Sequence, residues 1–311
     1  MFPTLSDLFE YLFGFGFPLP VQTFGLFVAL AFVLPYFVFR SEFKRKEREG
    51  YIKPFMRKGV LTHPHQLMDT LIFWCAVCGF VGARLFSFFE NINQFLADPM
   101  PQILAPNGWT FLGGLIFGAL IYLYIGHKYG MRLIVLADIG SPGMLVAYAV
   151  GRIGCQLSGD GDWGIANLNA KPSWLSALPD WMWSFNFPHN VLNSGVLIPN
   201  CTGNHCRVLV EGVYPTSFYE VVIISVAFFC LWSFRKNIKK SGVVFCLFLM
   251  INGAERFLIE KIRVNHFYQI LGLNLTQAQI ISILMFVGGL AGLIAIYWKA
   301  KYAVRPALTQ L

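Results

Sequence analysis

Apolar residues dominate seven stretches of this chain, at about residues 21–39, 68–89, 110–126, 133–153, 217–234, 243–260 and 278–298. Each is long enough as a helix to cross a hydrocarbon core about 30 Å thick. The pattern predicts an all-α polytopic membrane protein: about seven transmembrane helices in a single domain over 1–311, with the two termini on opposite sides. Between the fourth and fifth stretches lie residues 165–216, rich in Trp, Pro and Asn and including Trp174, Trp181, Trp183, Pro172, Pro179 and Pro188. That segment is too short and turn-rich for a large separate domain. It is expected to form an interfacial cap, with tryptophans at headgroup level.

Composition agrees with this reading and removes the soluble alternative. At 56% hydrophobic and 13% charged residues, with a mean hydropathy of +0.57, there is too little polar surface for a soluble globule of 311 residues. The basic residues then set the orientation, because Lys and Arg accumulate on the cytoplasmic side. Arg40, Lys44, Arg45, Lys46, Arg48, Lys53, Arg57 and Lys58 fall in one connection. Lys128 and Arg132, then Arg235, Lys236, Lys239 and Lys240, fall in the next two on that side, with Lys299, Lys301 and Arg305 in the tail. The opposite connections hold Lys171, Arg207, Lys261 and Arg263. The amino terminus is expected outside and the carboxyl terminus in the cytoplasm. The net charge of +8 is therefore a topology signal and an attraction to anionic lipid, with no nucleic-acid partner expected.

Smaller segments add detail. Residues 1–20 lack a basic n-region and read as an aromatic interfacial segment through Phe9, Tyr11, Phe13, Phe15 and Phe17, not a cleavable signal peptide. Residues 41–67 read as a charged, solvated connection, with His63 and His65 as loop residues. Cys75, Cys78, Cys230 and Cys246 lie in apolar stretches as small fillers. Cys201 and Cys206 flank Thr-Gly-Asn-His in the outer loop, where an oxidising compartment permits a disulfide; a zinc site with His205 is the alternative.

The chemistry-bearing residues share one depth. In the expected topology the second, fourth and sixth spans run outward, so Arg84, Arg152, Arg256 and Glu260 all lie near the outer face. The third and fifth run inward, so Gly113, Gly114, Tyr219 and Glu220 begin at that same level. Independent snorkelling anchors would populate both faces. Guanidinium groups gathered at headgroup depth suit a phosphate, since each planar fork gives two charge-assisted hydrogen bonds. Arg256 and Glu260 are four apart on one helix face, where the carboxylate can orient the guanidinium or form a plain intrahelical pair. Gly113, Gly114 and Gly118 permit close helix packing or a groove for a lipid chain.

At these residues the chain resembles the prolipoprotein diacylglyceryl transferase family of bacterial membrane enzymes, over roughly residues 20–298. Gly151–Gly164 resembles the family signature of Gly-Arg, a small-residue turn, an acid and a final Trp-Gly. Phe111-Leu112-Gly113-Gly114-Leu115-Ile116 resembles its Gly-Gly segment, and Tyr214-Pro215-Thr216-Ser217-Phe218-Tyr219-Glu220 its Pro-to-Tyr-Glu segment. Gly253-Ala254-Glu255-Arg256, Glu260 and Arg263 resemble its late arginine and glutamate motif.

The resemblance implies transfer of a diacylglyceryl group from phosphatidylglycerol to the lipobox cysteine of a prolipoprotein signal peptide, releasing glycerol phosphate. It implies no cofactor or metal. The place would be the bacterial cytoplasmic (inner) membrane, with the site toward the outer leaflet. Carried over, Arg152 and Arg256 hold the phosphate, Asp160 is the signature acid, and Glu260 supports Arg256. Gly151, Gly154, Gly159 and Gly164 shape the turn, and Arg84, Gly113, Gly114, Tyr219, Glu220 and Arg263 complete the substrate site. The chain departs from the family pattern at Leu112 for a histidine, Asn252 and Phe24 for tyrosines and Cys155 for an asparagine, and its signature turn is one residue longer. The base for the thiol is therefore expected at Asp160 or Asp162, whose alternative role is to accept backbone hydrogen bonds in the turn. A non-catalytic lipid- or lipoprotein-binding relative is the alternative, and a transporter the more distant one, because the charges sit at one face and not at the midplane.

Overall fold

A computed structural model describes residues 1–16, 21–104, 110–264, 268–270 and 273–304. Phe17 and Arg305 lie outside the described residues. Among the described residues ten α-helices order the chain: α1 (Leu5–Phe13), α2 (Thr23–Arg48), α3 (Met68–Glu90), α4 (Ile92–Ala97), α5 (Pro99–Leu104), α6 (Phe111–Lys128), α7 (Leu133–Ser158), α8 (Thr216–Phe234), α9 (Val243–Ile259) and α10 (Gln277–Val304). Among the described residues six segments are long and apolar enough to cross a membrane, carried by α2, α3, α6, α7, α8 and α10. The sixth apolar stretch forms α9, which has 17 residues. Strands occur as three antiparallel pairs, Phe55–Arg57 with Val60–Thr62, Val196–Leu197 with Arg207–Val208, and Tyr268–Ile270 with Leu273–Leu275. Side chains such as Phe73, Phe80, Phe229, Leu284 and Ile294 are exposed on the spanning helices, as a lipid solvent requires. The chain is thus an all-α polytopic membrane protein.

The fold divides into two units, one formed by Tyr36–Gly140 and the other by Met1–Pro35 with Ser141–Leu311. In the first, α3 packs on α6 through glycines. A Cβ on Gly82 would lie 2.6 Å from the Gly113 carbonyl oxygen, and one on Gly114 would lie 3.3 Å from the Gly79 carbonyl oxygen. Small residues are what let two backbones come this close. Arg84, on α3, donates to the Ile103 carbonyl at 3.0 Å and lies over the Phe88 ring.

The expected solvated connection over 41–67 is corrected here. Helix α2 runs on to Arg48 and buries Glu42, Phe43, Arg45 and Lys46. Arg45 bridges Glu42 and Glu49, three back and four ahead, at 2.5 and 2.9 Å. Lys46 lies 4.0 Å from Asp138 and over the Tyr51 ring. Charges at helical spacing pair with one another, so this run packs into the core where a loop had been expected. His63 and His65 lie against the Glu47 carboxylate at 2.5 and 3.6 Å.

In the other unit α9 packs on both α8 and α10. A Cβ on Gly253 would fall 2.6 Å from the Ser282 carbonyl oxygen, and one on Gly289 2.6 Å from that of Cys246, so α9 and α10 meet backbone to backbone. Leu145, Ala149, Ile224, Leu231 and Val244 form the core between α7, α8 and α9. Residues 165–216 have little regular structure, and the short strand pair Val196–Leu197 with Arg207–Val208 encloses a Cys201–Cys206 disulfide with Cα atoms 5.6 Å apart. Backbone bridges from Val213 to Ala166 and Phe185 tie the segment down at its base.

Candidate active site

The site is built where α7 ends. Helix α7 continues through Ser158, which places Gly151 and Gly154 inside the helix and corrects their expected role in the turn. Gly154 has a packing reason instead, since a Cβ there would lie 2.7 Å from the Phe27 Cβ; Gly151 has open space around it. The turn proper starts at Gly159, whose φ of +64° ends the helix, and continues through Gly161 at +97°. Both angles lie in the left-handed region that glycine enters without steric cost. A Cβ on Gly159 would also meet Asn190 Cβ at 2.9 Å.

The signature's last glycine locks this turn to two other elements. Gly164 donates its N–H to the Tyr214 carbonyl at 2.8 Å and pairs in an antiparallel bridge with Arg263, while Ile165 N–H donates to the Ile262 carbonyl at 2.8 Å. A Cβ on Gly164 would lie 2.9 Å from that of Tyr214, so the position suits glycine alone. At the start of α8 the Thr216 and Ser217 hydroxyls both donate to the Asp162 carbonyl, at 2.6 and 3.0 Å. Three sequence segments far apart in the chain thereby meet, each contributing charge.

The charges alternate. Asp162 bridges Arg152 and Arg263, one carboxylate oxygen to each guanidinium. Glu220, fully buried on α8, lies 2.9 Å from Arg152 Nε, 3.2 Å from Arg256 Nη1 and 3.8 Å from Arg263 Nη1. Asp162, Arg152, Glu220 and Arg263 close a ring, and Arg256 extends it toward Glu260 at 3.3 Å. Glu260 accepts in turn from the Thr276 hydroxyl at 2.7 Å, and that hydroxyl also accepts from Gln279 N–H in the first turn of α10. The carboxylates fix the guanidinium planes and leave Arg152 Nη2 and Arg256 Nε outside the pairs, so each fork keeps donors to offer an oxyanion. Arg256 is the most open of the three, with 28% of its side chain exposed, against 16% for Arg152 and 12% for Arg263.

The two aspartates of the turn are not equivalent. Burial would raise the Asp162 carboxyl, but Arg152 and Arg263 outweigh it and hold the group below the usual carboxylate range. Asp160 accepts the Asp162 N–H at 3.2 Å, and burial pushes its carboxyl above that range. The thiol of Cys155 lies 3.9 Å from Arg152 Nη1 and 3.7 Å from Asp162 Oδ2. Cys155, Asp160 and Asp162 present ligand atoms within 4.8 Å of one another, yet a cation there would have to displace two guanidinium groups from Asp162.

Of the residues expected from sequence, Arg152, Asp160, Gly159, Gly164, Glu220, Arg256, Glu260 and Arg263 come together. Tyr219 turns away: its hydroxyl donates to the Met182 carbonyl at 2.9 Å, and its ring lines an apolar groove with Trp174, Trp183 and Phe218. Adjacent helical positions point about 100° apart, which separates Tyr219 from Glu220. Gly113, Gly114 and Arg84 belong to the other unit. Sequence reasoning missed Tyr148 and Glu255. Tyr148 lies one turn before Arg152, under its guanidinium, and Glu255 adjoins Arg256 in the chain.

The sequence model of the prolipoprotein diacylglyceryl transferase family matches residues 10–295. The chain belongs to that family. A phosphatidylglycerol–prolipoprotein diacylglyceryl transferase of Bordetella avium strain 197N is 29% identical over 277 residues, spanning 88% of this chain and 89% of that one. Proteins of the same description from Leptospira interrogans and Staphylococcus saprophyticus are 25% and 24% identical. Those matches span 85% and 96% of this chain and 77% and 92% of the relatives. The family match includes every residue of the charge ring.

Proposed function

We propose that the chain is a phosphatidylglycerol–prolipoprotein diacylglyceryl transferase of the bacterial inner membrane. Family membership and the descriptions of its relatives support the activity. The single observation that carries the site assignment is the ring of three guanidinium groups held in fixed orientation by Asp162, Glu220 and Glu260. In this reading the chain crosses the bilayer seven times, amino terminus outside, and α9 is the sixth of the seven spans. Residues 165–216 cap the site at the outer leaflet, and the disulfide fits an oxidising outer compartment.

Arg152 and Arg256 bind the phosphate of phosphatidylglycerol, and Arg263 holds Asp162 in place. The lipobox cysteine attacks the glyceryl carbon bonded to the phosphate oxygen. A sulfur–carbon bond forms, the carbon–oxygen bond breaks, and its electron pair stays on the departing glycerol phosphate. The guanidinium groups stabilise the second negative charge that develops there. The thiol proton passes to Asp160, which carries no guanidinium pair, in contrast to Asp162. Leu112 and Asn252 do not supply a base: one is apolar, and the other donates its amide to the Phe248 carbonyl of its own helix.

The test is direct. The purified chain in phosphatidylglycerol-containing membranes should add a diacylglyceryl mass to a lipobox peptide and leave its cysteine-to-serine version unmodified. Turnover no higher than a heat-killed control, with a known transferase active in parallel, would remove the assignment.

A further inference from the structure

Beside the charge ring lies a carboxyl group that makes no salt bridge among the described residues. Glu255, on α9, is 3% exposed, and its Oε1 has no hydrogen-bond partner. Its Oε2 lies 3.5 Å from the Tyr148 hydroxyl, which donates to Glu220 Oε1 at 3.0 Å. Two buried carboxyl groups therefore meet at one phenol. Among the described residues, Tyr148 and Arg152 from α7, Arg256 from α9 and Arg263 after it surround these two carboxyl groups, and Cys155, Asp160, Asp162 and Glu260 complete the cluster.

The charges of this cluster do not balance. Arg152, Arg256 and Arg263 are matched one for one by Asp162, Glu220 and Glu260, and each pair is seen as a contact. Asp160 and Glu255 are both in excess, and Glu255 is the more deeply buried of the two. A buried carboxylate without a cation is costly, and two neighbouring carboxylates ionise together only at high cost. A second carboxylate would also cancel the attraction of the cluster for an anion. We infer that Glu255 holds a proton beside the Tyr148 hydroxyl that donates to Glu220, and that this proton lets the arginine cluster bind the lipid phosphate. Glu255 is then a positioning residue: it acts through Glu220, which remains free to orient Arg152 and Arg256. Binding of an anionic phosphodiester becomes linked to the proton, so affinity falls as pH rises through its loss.

This rests on the proposed phosphate site and is tested apart from turnover. Short-chain phosphatidylglycerol is titrated into the full chain in neutral detergent from pH 6 to 9, a range over which the phosphodiester stays singly charged. The expected wild-type affinity falls about tenfold per pH unit once the proton is lost. Glu255→Gln, which keeps the shape and cannot ionise, should bind with little pH dependence and outbind wild type at pH 9. Tyr148→Phe removes the bridge and should move the midpoint of the pH curve. Asp160→Asn is the control and should keep the wild-type slope.

A flat wild-type curve beside saturable binding would overturn the inference and leave the phosphate site standing. A slope that survives in Glu255→Gln but disappears in Asp160→Asn would assign the proton to Asp160 and overturn it equally, as would an unmoved midpoint in folded Tyr148→Phe. Saturable binding at no pH would overturn the phosphate site and the inference with it.

Discussion

At the scale of single residues, the arginines divide by what holds them. Arg152 touches Asp162 and Glu220 and is mostly buried, so its plane is set before any ligand arrives. Preorganised donors of this kind are worth about 2–4 kcal/mol of transition-state stabilisation, so Arg152→Ala or Arg256→Ala should slow lipidation by about 10²–10³. Lysine at either position keeps the charge and loses the fork, and should recover only part of the rate. Near-wild-type rates in both alanine variants, compared at equal folded yield, would make the arginines structural anchors. The aspartates give a pH prediction. Because burial raises Asp160, the rate at saturating lipid should fall as pH falls through its raised value, where the base becomes protonated. Asp160→Asn should lose most of the rate together with that acidic limb. Asp162 is lowered, so its bridging contributes stability above the unfolded value that is lost as pH falls through the folded one. Asp162→Asn should therefore lower the unfolding temperature at pH 7 more than at pH 3.

At the scale of elements, glycine at helix crossings decides how closely backbones approach. Gly113 on α6 faces α3, and Gly253 on α9 faces α10; each would place a Cβ against a carbonyl of the opposing helix. Gly113→Leu or Gly253→Leu must push a helix pair apart, and overpacking of this kind costs about 1–3 kcal/mol or more. The expected result is a lower unfolding temperature in detergent for both. Gly151→Ala, with open space around it inside α7, should be tolerated and gain slightly in helix propensity. Gly164→Ala differs from all of these, because its Cβ would strike the Ile262 carbonyl, next to the residue that Gly164 bridges, Arg263. Measured by peptide lipidation, its loss of rate should exceed its loss of stability.

At the scale of the whole molecule, the disulfide reports compartment and topology together. Cys201 and Cys206 should resist alkylation until reduced, and after reduction a membrane-impermeant thiol reagent should reach them from outside intact cells. Labelling of both without reductant would remove the bridge from the native protein, and labelling from inside alone would invert the topology. Much of the architecture was legible in the chain itself. Long apolar stretches have few ways to satisfy their backbone in lipid, so the helices follow from length and hydropathy, with ends displaced by a few residues. The arginines at the ends of α7 and α9 were legible for a related reason, since charge in an apolar run is costly and marks a place where something answers it. What answers it was not. Asp162 and Asp160 stand two apart in one turn with the same side chain, and only the folded positions of Arg152 and Arg263 make one a bridge and leave the other outside their salt bridges. The charged run after residue 40 looked solvated because linear sequence hides which faces it presents; packing brought Asp138 to Lys46. Glu255 reads in the sequence as one acid in a motif, and only burial beside Tyr148 and Glu220, without a salt bridge among the described residues, sets it apart. Hydropathy is a property of segments and is read locally, whereas the partner of a charge is set by contacts between residues as much as a hundred positions apart, which only the tertiary structure specifies.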